Sequence, residues 1–171
     1  TRHGTFGESD QTLAETLAAQ AGASLQRARL MEHYREKLQM EQAMEIAREI
    51  QQGLLPKESP AIPDFELAGM SEPADHTGGD TYDFIPLPNG EWLLVVADAS
   101  GHGIGPALVV AQTRAMLRAS SFNGCQLTHM LETVNNLLAR DLHGRFVTCF
   151  VGILSPESHT ITYASAGHGP M

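Results

Sequence analysis

Residues 92–108 read WLLVVADASGHGIGPAL, with Gly78, Gly79 and Asp80 a short way upstream, and the reading of these two pieces decides the fold. The run 92–97 is apolar and partly β-branched, the pattern of a strand buried on both faces. It ends in Asp98, followed by glycines at 101, 103 and 105. A strand end holds a carboxylate still, while glycines beyond it let the chain turn with positive φ and let a ligand approach the main chain. Eighteen residues earlier Asp80 follows two glycines and precedes a second strand-like run, 81–87. Pro88, Asn89 and Gly90 between the runs are a strong hairpin signal, and such a hairpin brings both acids to one pole. For a single Asp beside Gly, a turn cap is a sufficient explanation. Here two such places coincide, and two carboxylates with a neighbouring backbone carbonyl suit a hard divalent cation.

Downstream the period becomes helical. Leu108, Val109, Gln112, Ala115, Met116 and Ala119 recur at three and four within 104–119, and Pro106 falls in the first turn, where its missing N–H costs nothing. A second helix is predicted over 128–142, with Met130, Leu131, Val134, Leu137 and Leu138 on its core face. Residues 145–154 and 160–164 read as two more strands around the turn 155–158. Upstream, 65–70 reads as a first strand. Strands, two helices, then strands predict an α+β layer with mainly antiparallel pairing.

Pro56, Pro60 and Pro63 mark a boundary near residue 56, and before it a helix is predicted from Ser9 or Asp10 to about Gly53. Its first half places Ala14, Leu17, Ala21, Ser24, Ala28, Met31 and Leu38 on one seam. Its second half places Met40, Ala43, Ala47, Ile50 and Leu54 on another, out of phase by about two residues, so a twist, break or change of partner is expected near 34–40. Two arrangements fit: a parallel coiled coil that passes a signal between domains, and an amphipathic helix lying on its own domain. Small Ala and Ser make the seam a weak zipper, and a homodimer through this helix is the expectation carried forward.

The 171 residues are enough for one domain with an appendage. Twenty acidic against 11 basic residues, a formal charge of -9, argue against nucleic acid or an anionic membrane as main partner. Cys125 and Cys149 are too few for a disulfide framework and lack zinc-site spacing. No apolar stretch is long enough to span a bilayer and no signal-peptide pattern opens the chain, so a cytoplasmic location is expected.

GGDTYDFIPL (78–87), VVADASGHGIGPALVVAQTRAMLRA (95–119), RFVTCFVGIL (145–154) and ITYASAGHGP (161–170) resemble, in order, the signatures of the bacterial PPM-type serine/threonine phosphatases of the SpoIIE/RsbU group. The resemblance implies a PP2C-like antiparallel β-sandwich flanked by helices, here truncated at the C-terminus. It also implies two Mn2+ or Mg2+ ions activating a water for in-line attack on phosphorus. Carried over, Asp80 and Asp98 become the catalytic metal ligands and the Ala99 carbonyl a third, with Gly79, Gly101 and His102 around them. The substrate implied is a phosphorylated regulatory protein, an anti-sigma-factor antagonist.

Residues 6–34 resemble the last helix of a GAF sensory domain, and AREIQQGLLP (47–56) resembles the linker signature preceding the phosphatase, with Glu49, Gln52, Leu54 and Leu55 as regulatory positions. The domains expected are thus 1–31 as the end of a GAF-like sensor, 32–56 as a coiled-coil linker and 57–171 as an incomplete phosphatase domain. Family members carry further acidic motifs beyond the Ala-Gly-His segment, so weak metal binding, little turnover and association through an exposed sheet edge are expected of these 171 residues.

Rival chemistries fare less well. GHGIGP has Pro106 where a dinucleotide loop requires its third glycine, and no Gly-Lys-Ser/Thr follows. An aspartyl phospho-acceptor would need alternating parallel β-α units, which the pattern lacks. A catalytically inactive scaffold that dimerises through the coiled coil is the alternative from another class. Of the remaining polar residues, Thr148 reads as packing or hydrogen-bonding and His76 as a surface residue. His168 stands in a motif whose usual Asn is Gly169, and Asp83, in strand alternation, faces away from Asp80.

Overall fold

The computed structural model describes residues 5, 7–73, 75–122, 126–142 and 144–169; Cys125 lies outside them. The chain divides into two units, Thr1–Ala43 and Met44–Met171. Helix α1, Glu8–Leu54, includes the linker segment up to Leu54, with Leu55 and Pro56 beyond its end. It runs without interruption through 34–40, so of the twist, break or change of partner expected there from the out-of-phase seams, the break does not occur. Backbone hydrogen bonding tolerates a change of side-chain phase, which alters what the helix presents and not whether it is helical.

The second unit holds a four-stranded antiparallel sheet in the order β1-β2-β3-β4, with β1 Asp80–Pro86, β2 Trp92–Ala99, β3 Val147–Ser155 and β4 Thr160–Ala166. The β1–β2 turn closes as the Asn-Gly signal predicts: Leu87 N–H donates to Glu91 O at 2.8 Å and Gly90 adopts φ +84°. Helices α2, Ile104–Ser121, and α3, Leu127–Leu138, lie between β2 and β3 in the chain. Both pack on one face of the sheet. Val110 and Leu117 of α2 and Met130, Val134 and Leu138 of α3 meet Ile85, Leu93, Val95, Ala97 and Val151 in the core. Leu93, Leu117 and Val151 are each 0% exposed. Burial of a side chain of this kind contributes about 2 kcal/mol.

Three sequence expectations change. β2 alternates instead of being buried on both faces: Leu93, Val95, Ala97 and Ala99 point into the core, while Val96 is 42% exposed on the other face. That outer face is nonetheless apolar, with Tyr82 beside Phe84 and Phe150 stacked on Tyr163, ring centroids 5.6 Å apart in each pair. A continuous apolar run therefore marked an apolar outer face, not a covered one.

The strand expected over 65–70 does not form; among the described residues nearby, the ladder contact is the isolated bridge Ile62 to Phe65. Pro60, Pro63 and Pro73 remove donors there, and the passage is tied to the sheet instead by the Tyr82 hydroxyl, which donates to Gly69 O at 2.8 Å. Helix α3 stops at Leu138 because Asp141 and Leu142 both donate to the Leu138 carbonyl, at 2.9 and 3.1 Å, and turn the chain toward β3. Of the expected sandwich, the described residues form one antiparallel sheet, an α+β arrangement with two helices on one face. Among the described residues no helix is long and apolar enough to cross a membrane.

Candidate metal centre

One end of the sheet gathers the polar residues singled out in the sequence. Strand register sets Asp80 opposite Asp98 and Asp98 opposite Thr148, so three adjacent strands contribute one row. The even-numbered residues of β1 and β2 face away from the helices, which is why both carboxylates lie on the outer face. Gly79 locks the corner: its carbonyl accepts from Ala99 N–H at 2.9 Å. A Cβ on Gly79 would collide with the Ala99 carbonyl oxygen and come within 3.1 Å of Asp98 Oδ1. Only glycine lets the Asp80 loop lie so close to the donors.

Partial burial, and after it the charge and hydrogen bonding of Asp98, raise the Asp80 carboxyl above its ordinary 3.8, while His168 pulls it back. Asp80 still touches water. Such a carboxylate pair, with a main-chain oxygen beside it, is a set of hard oxygen donors whose mutual repulsion a divalent cation relieves. The residues therefore fit Mn2+ or Mg2+ in part. No group of three or more His, Cys, Asp or Glu able to hold a metal occurs among the described residues, so the acids stand as a pair.

Two residues given little weight in the sequence join this pole. Thr148 Oγ1 is 2.9 Å from His168 Nδ1, and Ser165 donates to the His168 carbonyl at 2.6 Å. Gly167, at φ +72° and bridged to Cys149, turns the chain after β4 so that His168 returns across the sheet. The signal was the spacing of Thr148 and Ala-Gly-His on neighbouring strands, legible only with the register known. His102 and Gly101 sit exposed in the loop before α2.

Asp83 faces away from Asp80 as its alternation predicts, and is fully buried. Arg118 grips it with both nitrogens, Nε to Oδ2 at 2.5 Å and Nη2 to Oδ1 at 2.7 Å. Arg114 Nε lies 2.9 Å from Oδ2 but is not aligned to donate a hydrogen bond. Burial lowers the Arg114 pKa and the Asp83 hydrogen bonds raise that of Arg118.

The linker residues divide. Met44, Ala47, Arg48, Gln51, Leu54 and Leu55 are the half-buried positions of the linker stretch, while Glu49, Gln52 and Ile50 are exposed. Thus Leu54 and Leu55 are half-buried and Glu49 and Gln52 are exposed, while Gln52 lines with Gln51 and Leu55 the cleft beside Gly78 and Asp80. The contact face is offset from the predicted seam because a polar residue, Gln51, occupies its centre.

The family model described as Stage II sporulation protein E (SpoIIE) matches residues 88–171. The phosphoserine phosphatase RsbU of Bacillus subtilis (strain 168) is 29% identical over 128 residues, covering 74% of this chain and 38% of RsbU. Protein IcfG of Synechocystis sp. is 26% identical over 157 residues, covering 75% of this chain and 25% of IcfG. The crystal structure of the RsbU and RsbW domains of Rv1364c from Mycobacterium tuberculosis superposes with a TM-score of 0.51 at 34% identity, covering 57% of this chain and 28% of that one. The chain thus spans well under half the length of these relatives.

Proposed function

We propose that this chain is part of a metal-dependent protein serine/threonine phosphatase of the PPM type, acting in the cytoplasm on a phosphorylated regulatory protein, an anti-sigma-factor antagonist. The observation that supports it most is the pairing of Asp80 with Asp98 beside the Ala99 main chain at an exposed sheet end. The likeness to a phosphoserine phosphatase supports the reaction class. Asp80, Asp98 and the Ala99 carbonyl would hold Mn2+ or Mg2+, two ions in the complete site. When bound, the cation supplies charge to the phosphoryl oxygens and acidifies an attacking water. The chain's own contribution is positional. Two strands fix the carboxylates on one rung, and Gly79 leaves room for the carbonyl. Thr148 orients His168 through Nδ1, which leaves Nε2 as the ring atom able to move a proton.

Mn2+-dependent release of phosphate from a phosphoserine protein tests the proposal, with Asp98→Asn as the comparison. Turnover that needs Mn2+ and vanishes in Asp98→Asn is expected. Phosphate release by Asp98→Asn at the parental rate, or no Mn2+ uptake by either protein, would reject the assignment, and the second result would favour the inactive scaffold. The partner reading includes a homodimer through α1, supported by Leu13, Leu17, Leu25 and Met31, each more than half exposed on the helix.

A further inference from the structure

Gln51, in the last turns of α1, reaches the loop that delivers Asp80. Its Nε2 donates to Gly78 O at 2.6 Å, and its Oε1 accepts from Gly78 N–H at 3.1 Å. One carboxamide thus satisfies both polar groups of a single residue, as a neighbouring strand would. Asp80 is two residues on, and the intervening Gly79 is bonded on its other side to Ala99 of β2. Gln51, Leu55, Pro73, Gly78 and Asp80 line one narrow cleft. The GGD loop is therefore held between a strand it cannot leave and a helix it touches through one polar side chain. The other link from the helix, Glu45 Oε2 to His76 Nδ1, spans 3.7 Å between side chains 54% and 46% exposed and contributes little.

We infer that Gln51 is a positioning residue: its carboxamide clamps the main chain of Gly78, and through it sets Asp80 against Asp98, so that displacement of α1 releases the Asp80 loop. The clamp needs both a donor and an acceptor. Glutamate keeps only the acceptor and adds negative charge to the cleft that Asp80 shares; alanine keeps neither. The effect on metal rests on the proposed function, whereas the effect on the loop rests on the two hydrogen bonds alone.

The test uses the 171-residue chain with Gln51→Ala, Gln51→Glu and, as a control on the same helix, Gln42→Ala. Amide hydrogen exchange is followed at Gly78 and in the core strands at Val95 and Val151, with Mn2+ affinity measured by calorimetry on the same samples. Loss of two neutral hydrogen bonds should speed Gly78 exchange about tenfold and weaken Mn2+ binding by a similar factor in Gln51→Ala, whereas Gln51→Glu, which loses one of the two, should speed Gly78 exchange by less and still fall short of parental protection. Val95 and Val151 should not change, and Gln42→Ala should match the parent throughout. Parental Gly78 exchange in Gln51→Ala, or full rescue by Gln51→Glu, would overturn the clamp. Faster Gly78 exchange in a chain whose parent takes up no Mn2+ would uphold the clamp and reject the metal reading of the pole instead.

Discussion

Changing Asp98 to Asn removes one of two facing carboxylates, and its effects should run in opposite directions with and without metal. Mn2+ affinity should fall by more than the roughly 10–100-fold typical of losing an outer partner of a ligand. The cation-free protein should become more stable, because Asp80 no longer faces a second negative charge. Calorimetry with and without Mn2+ reads both, and equal melting of parent and variant without metal would contradict the repulsion. Asp83→Ala behaves differently. It leaves the largely buried Arg114 without its carboxylate, while Arg118, 41% exposed, keeps access to water, and should cost about 3 kcal/mol in chemical denaturation. Cys149, buried and with its thiol pushed up to about 12, should react with thiol reagents only as fast as the chain unfolds. Alternation along one strand was enough to read Asp83 as facing away from Asp80. Its two arginines lie 31 and 35 positions further on, and no local pattern names a partner at that distance.

Helix α1 carries the element-scale expectation. Insertion of one to four residues near Met40 rotates whatever lies upstream by about 100° per residue relative to the Gln51 face. Phosphatase activity should therefore vary with insertion length and recover near four residues, whereas a flat series would mean that α1 is only a tether. The hairpin β1–β2, both later helices and the last two strands were readable because their periods are regular and their turns carry Asn-Gly or Pro signals. The half-buried face of α1 keeps Ala47 and Leu54 of the expected second seam but not Ile50, because an apolar seam was sought and the residue at its centre, Gln51, is polar and paired with main chain. Residues 65–70 misled for the opposite reason: their composition suits a strand, but a strand also needs a partner.

For the whole molecule, the raised pKa of Asp80 gives stability a sign with pH. The folded chain holds that proton more tightly than the unfolded chain, so stability falls as pH rises from the ordinary value of 3.8 through the folded one. Without cation, melting curves of the parent and Asp80→Asn should diverge across that window, the parent losing more; parallel curves would remove Asp80 as the cause. Substrate choice also belongs at this scale. The acids stand exposed at a sheet end, so a phosphoserine on a protein should be preferred over small phosphate metabolites in competition assays.

The chain has one tryptophan, and β2 sets it as far from the acids as that strand allows: Trp92 begins the strand and Asp98 lies near its other end. Six residues of extended chain separate them, about 20 Å. Its indole is half-buried, between Pro86 and Leu154 in the ladder. The protein thus contains an optical reporter on the sheet's integrity that stands apart from the chemistry, and its emission should track denaturation while staying almost level during a manganese titration.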